Sequence, residues 1–246
     1  MTLGDSMIIL DTQSPLRELP ASVPRNQALF FDGIRFSIQM AGLAYHRLLP
    51  VLQQLAIDGF ERGRRADEEQ VIAALIDAWT VIDSLHRLRE LVRQTPGVKQ
   101  RDSGIRLFFA KTADVTALRN RIQHINQEVL ELAATGHPLL GVLSWATITQ
   151  PATGKGCVAA LLAGSVATAE YKITMPWDQS IQGDVGFVSL EAAGTRVMLA
   201  DVLDSGIGLV RAFEEALRPR VQEGAVRPAD VVLFLPVDAT RKDTPT

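Results

Sequence analysis

Four side chains within six residues carry the chemistry this chain offers most openly: Arg119, Asn120, Arg121 and His124, in the stretch LRNRIQHINQEV at residues 118–129. Imidazole titrates near neutrality and can move a proton in either direction. A guanidinium offers a planar fork of donors to phosphate oxygens. Together these types suit proton transfer beside a bound anion. The solvated side of an amphipathic helix carries the same residue types. In a regular helix Asn120 and His124 nearly eclipse, whereas Arg119 lies roughly 140° from His124 around the axis. Arg119 and His124 therefore converge only where the helix ends or bends, or where a second copy meets it.

The charge pattern points the same way. The net charge of −3 divides into −4 over residues 1–86, +6 over 87–121 and −5 over 122–246. A local basic surface attracts polyanions even on an acidic chain, because screening confines the field to roughly 8–10 Å. Arg121, Lys111 and Arg106 are the residues of this segment expected to contact a nucleic-acid backbone. The other reading of the segment is a solvated arginine face.

The elements that must position these groups follow from periodicity. Over residues 27–59 apolar residues recur at three and four (Phe30, Ile34, Ile38, Ala41, Tyr45, Leu48), and Pro50 is expected to kink or divide that helix. The next helix has Asp67 as N-cap with Gln70 three residues on, a buried face from Val71 to Leu85, and a stop at residues 95–97, TPG. A further helical region runs to about Thr135, broken near KTAD, where Thr112 or Asp114 could cap, and stopped by Gly136 and Pro138. From His137 the pattern becomes strand-like: PLLGVLSWATIT, GCVAALLAG, AEYKITM, VGFVSLEA and TRVMLADVL, joined by short turns that favour an antiparallel meander. A helix capped by Asp204 or Ser205 follows, then VVLFLP as a possible edge strand.

The expected fold is α+β: an N-terminal extension at 1–24, a helical bundle at 25–136, an antiparallel sheet with a C-terminal helix at 137–218, and a tail at 219–246. The two parts could pack as one body.

The pattern RN, three residues, then H, on a late helix of a small helical unit, resembles the HEPN superfamily. The motif of that family is Arg, four to six residues, and His, commonly with a polar residue after the Arg. The resemblance covers at most residues 27–136, and Ile125-Asn126 stand where members frequently have glycine or an aromatic. It implies a helical bundle, frequently dimeric, with the motifs of two protomers meeting across the interface. It also implies a metal-independent endoribonuclease of toxin or phage-defence type, with Arg119, Asn120 and His124 as catalytic residues: the RNA 2′-hydroxyl would be the nucleophile, His124 the general base or acid, Arg119 the group that stabilises charge on the phosphate, and Asn120 the group that holds the orientation.

Other signals are weaker. QPATGKGC lacks the first glycine and the Ser or Thr of a phosphate-binding loop, and reads as a hairpin turn. Asp83, His86 and Arg87 read as a helix-surface group, although His86 could join a site if the bundle brings it near His124. No His or carboxylate spacing suggests a metal, and no cofactor is expected. One cysteine, Cys157, excludes an internal disulfide and fits a reducing compartment, so the cytoplasm is expected. No segment reads as a signal peptide or a membrane span. The expected partners are a second copy of the chain and RNA. The competing class is a non-catalytic homodimeric module that binds a protein or senses a small ligand.

Overall fold

The computed structural model describes residues 9–165, 173, 181, 183–222, 224–227 and 230–234. The order of elements is α1 (Arg25–Ala56), a π-helical turn (Ile57–Glu61), α2 (Glu68–Gln94), α3 (Ser103–Lys111), α4 (Ala113–Gln123), α5 (Ile125–Thr135), β1 (Val142–Gln150), β2 (Lys155–Leu162), β3 (Val185–Ala192), β4 (Thr195–Met198) and α6 (Leu199–Gln222). The architecture is α+β, a helical region followed by an antiparallel sheet and a C-terminal helix. One continuous core joins both parts, running from Leu10 and Leu16 through α1, α2 and the sheet to Leu217 of α6. Among the described residues no helix is long and apolar enough to cross a membrane.

Helices α1 and α2 form the frame. On α2, the Asp67 carboxylate accepts the Gln70 N–H at 3.2 Å, satisfying one of the amides a helix start leaves open. Its fully buried row, Ala78, Val81, Ile82, Leu85 and Leu88, meets Ile34, Ile38 and Leu48 of α1. Pro50 does not divide α1 as the sequence suggests. The stripe continues beyond it through fully buried Leu52 and nearly buried Leu55, while the proline itself faces solvent. Burial of two leucines, roughly 3–6 kcal/mol, covers the local cost of an interior proline, about 3 kcal/mol.

The sheet order is β2-β1-β3-β4, antiparallel throughout. It departs from a pure meander at one place: β3 pairs with β1, not β2. The strand expected at 169–175 lies outside the described residues except for Ile173. Ser144 pairs with Ser189 and Ala146 with Gly186, so Trp145 faces two residues of β3. Phe187 takes a left-handed backbone (φ 55°) at this bulge. Leu143, Val188, Leu190 and Val197 turn one face into the core.

Two further expectations are corrected. The strand read across 195–203 stops at Met198, and α6 begins at Leu199, before Asp204 and Ser205. Leu199, Val202, Leu203, Gly206 and Leu209 are buried at helical spacing, and a short apolar run satisfies both periods until packing decides. The tail forms no strand at 231–234. Those four side chains are exposed, and the segment is held at Asp230, whose carboxylate accepts two hydrogen bonds from the buried Arg35 guanidinium (2.6 and 2.8 Å).

Candidate functional site

The helical region breaks twice between α3 and α5. At the first break Thr112 is fully buried, its hydroxyl donating to the Phe108 carbonyl (2.6 Å) rather than capping α4. Arg89 of α2 reaches into this joint. Its guanidinium donates to the Phe109 carbonyl (2.8 Å), to Thr116 Oγ1 (3.1 Å) and to the Thr112 hydroxyl. The second break falls at His124, which leaves helical geometry (φ −104°, ψ 19°) and separates α4 from α5. The sequence raises a helix end as one way to bring Arg119 and His124 together, but gives no glycine or proline to locate it.

Arg119 turns towards α2. Its Nε lies 3.8 Å from the Asp83 carboxylate, and its Nη1 donates to Gln123 Oε1. His86, one turn along α2 from Asp83, carries a buried Nδ1 without a hydrogen-bond partner. Burial, and after it the Arg119 charge, hold the His86 imidazole below its usual 6.5. The structure thus gathers Asp83, His86 and Arg119, while Asn120 and His124 are exposed and neither is hydrogen-bonded to Arg119 among the described contacts. Arg121 is half-buried on α4, and Arg106 is exposed on α3. Lys111 joins a different feature, beside Asp204 of α6.

A pH dependence follows from His86. The unfolded chain takes up the proton first as pH falls past 6.5, so the stability that neutral His86 supports is full above that value and declines through the window below it. Urea unfolding midpoints are expected to fall between about pH 7 and about pH 5, with a shallower slope in His86→Leu. An unchanged slope in the variant would place the titration elsewhere.

A groove of about 1080 Å³ lies between α3 and α6. Helix α6 runs antiparallel to α1, with Phe213 edge-on to Phe31 (5.9 Å between centroids) and Gly206 against Ile38. Phe31, Phe108, Leu209 and Phe213 form an apolar floor. The α6 wall consists of Gly208, Ala212 and Ala216, one turn apart. Among the described lining residues, charges stand only at the ends. Asp201, Asp204 and Lys111 occupy one; Burial, then the Asp201 charge, raises the Asp204 carboxyl. Tyr45 is pushed to about 12 by burial, with Asp204 and Asp201 adding to the effect. Lys99, Asp102 and Arg220 occupy the other end, since Gln27, a turn before Phe31, holds the Pro96 carbonyl at 2.8 Å and Arg220 lies two turns beyond Phe213.

Periodicity could not find this groove, because its walls come from segments a hundred residues apart. The one legible signal was the small residues at four-residue spacing on α6.

A second cavity of about 200 Å³ lies between the π-helical turn and β2, lined by Leu55, Phe60, Trp145 and Cys157. The turn is tied to β1 through Glu61, which accepts from Thr149 (2.5 Å) and Gln150 (2.7 Å). Burial, then the Glu61 charge, raises the Cys157 thiol, which keeps it protonated and a poor nucleophile. Among the described residues no group of three or more His, Cys, Asp or Glu could hold a metal ion.

No protein-family model, no curated protein and no solved structure matches this chain.

Proposed function

We propose that the chain is a non-catalytic binding module whose ligand lies in the α3–α6 groove. The observation that carries this reading is the groove's construction: a volume in the range of small-molecule sites, an apolar floor, a smooth α6 wall, and polar groups confined to the two ends. Such a site rewards apolar surface, about 0.8 kcal/mol per buried methylene, and leaves orientation to a few charges. Self-association through α1 belongs to the same reading. Leu29, Phe36, Met40 and Leu43 are 67, 49, 41 and 38% exposed along one face of that helix, an apolar row of the kind that marks an interaction surface.

Anilinonaphthalene sulfonate, a dye that brightens in apolar sites, tests the groove. The wild type is expected to give a saturable signal, and Ala212→Trp, which fills the groove from an exposed position, to lose most of it at unchanged circular dichroism. An equal signal in the variant would contradict the reading.

The second reading is an HEPN-like, RNA-directed protein acting as a metal-independent endoribonuclease. One observation favours it: the helix ends at His124, leaving that imidazole and Asn120 exposed at a turn close in sequence to Arg119 and Arg121. RNA cleavage that persists in EDTA and disappears in a folded His124→Ala variant would establish this reading and displace the first. Absence of cleavage removes it.

A further inference from the structure

We infer that the groove ligand is an unbranched aliphatic carboxylate, seated with its head group between Lys99 and Arg220 and its chain running towards Leu209; this rests on the binding-module reading above. Three observations support the class. First, the α6 wall is smooth. Gly208 of α6 and Gly104 of α3, both lining the groove, have nothing within 4 Å of where a Cβ would stand. A narrow chain can lie against such a wall over the roughly 12 Å from Gly208 to Ala216.

Second, one end is cationic. Among the described lining residues, Lys99 and Arg220 are exposed there against one carboxylate, that of Asp102. Asp102 sits at the N-cap of α3 and makes no side-chain cap hydrogen bond. The excess of one positive charge matches a ligand with one negative charge.

Third, the far end opposes an anion. Asp201 and Asp204 stand against the single Lys111, giving an excess of one negative charge roughly 24 Å from Arg220 along α6. The two ends therefore select one orientation. A neutral alcohol of equal length would gain the apolar contacts and forgo the head-group contacts.

Isothermal titration of the full chain with decanoate and with decanol separates these terms. The wild type is expected to bind decanoate about tenfold more tightly than decanol, the scale of a charge-assisted contact at an open site. The double variant Lys99→Glu, Arg220→Glu is expected to lose that preference while decanol, which brings no charge, keeps its affinity. Ala212→Trp, and independently Ala216→Trp, is expected to abolish both. If the wild type binds both compounds equally, or the double variant retains the preference, the carboxylate inference is overturned and the groove reading stands. If the tryptophan variants bind as the wild type does, or the wild type binds neither compound, the groove reading falls and the inference with it.

Discussion

Replacing Arg89 with alanine is expected to cost about 3 kcal/mol of stability, read as a lowered urea midpoint. The side chain is buried to 6% exposure and holds the joint of α3 and α4 onto α2 through the Phe109 carbonyl, Thr112 and Thr116. Alanine leaves the carbonyl without that donor inside the molecule and opens a cavity beside the Phe109 ring, which lies 5.0 Å from the guanidinium carbon. Arg89→Lys is expected to recover little, because an ammonium cannot span three acceptors in one plane. Arg89→Met is expected to recover about half. It refills the volume and removes a charge whose burial, with Arg93 nearby, already pulls its pKa down. Equal midpoints for the alanine and methionine variants would contradict the part assigned to packing.

Replacing Gly206 with leucine is expected to cost about 2–3 kcal/mol and to weaken groove binding as well. At this residue α6 crosses the frame. A Cβ there would stand 3.0 Å from Ile38 Cδ1, 3.1 Å from Leu85 Cδ2 and 3.3 Å from Leu88 Cδ2. Those are the ends of flexible side chains, so Gly206→Ala asks for small adjustments that the gain in helix propensity, about 1 kcal/mol, largely offsets. Leucine adds three more carbons to a space already filled, and α6 must move outward. The groove wall is the outer side of that helix, so stability and dye binding should fall together in Gly206→Leu and hold in Gly206→Ala. A leucine variant with full binding would show that the wall does not depend on this contact.

Much of the frame is legible in the sequence because local chemistry and packing agree there. Asp67 with Gln70 marks the start of α2, Gly136 (φ 69°) closes α5 in the left-handed conformation that glycine accepts, and Gly154 turns the first hairpin. Where the two disagree, packing decides. Pro50 signals a break that the buried leucines on either side override, and the apolar run after Met198 fits strand and helix alike until α1 and α2 bury it as helix. The turn at His124 has no local signal.

The candidate site was legible only in part. The Arg and His spacing is visible in sequence, but Asp83 and Gln123, which engage Arg119, come from another helix and another turn. Lys111, expected among the nucleic-acid contacts, stands at the end of the groove beside Asp204. That neighbour is more than ninety positions away and only tertiary packing supplies it.

Amide chemical shifts recorded during a titration with decanoate test the groove most directly. The account predicts that the largest changes fall on Gly104, Leu107, Gly208, Ala212 and Ala216, and that they vanish in Ala212→Trp. Changes confined to the exposed face of α1 or to the turn at His124, with the α6 amides still, would contradict it.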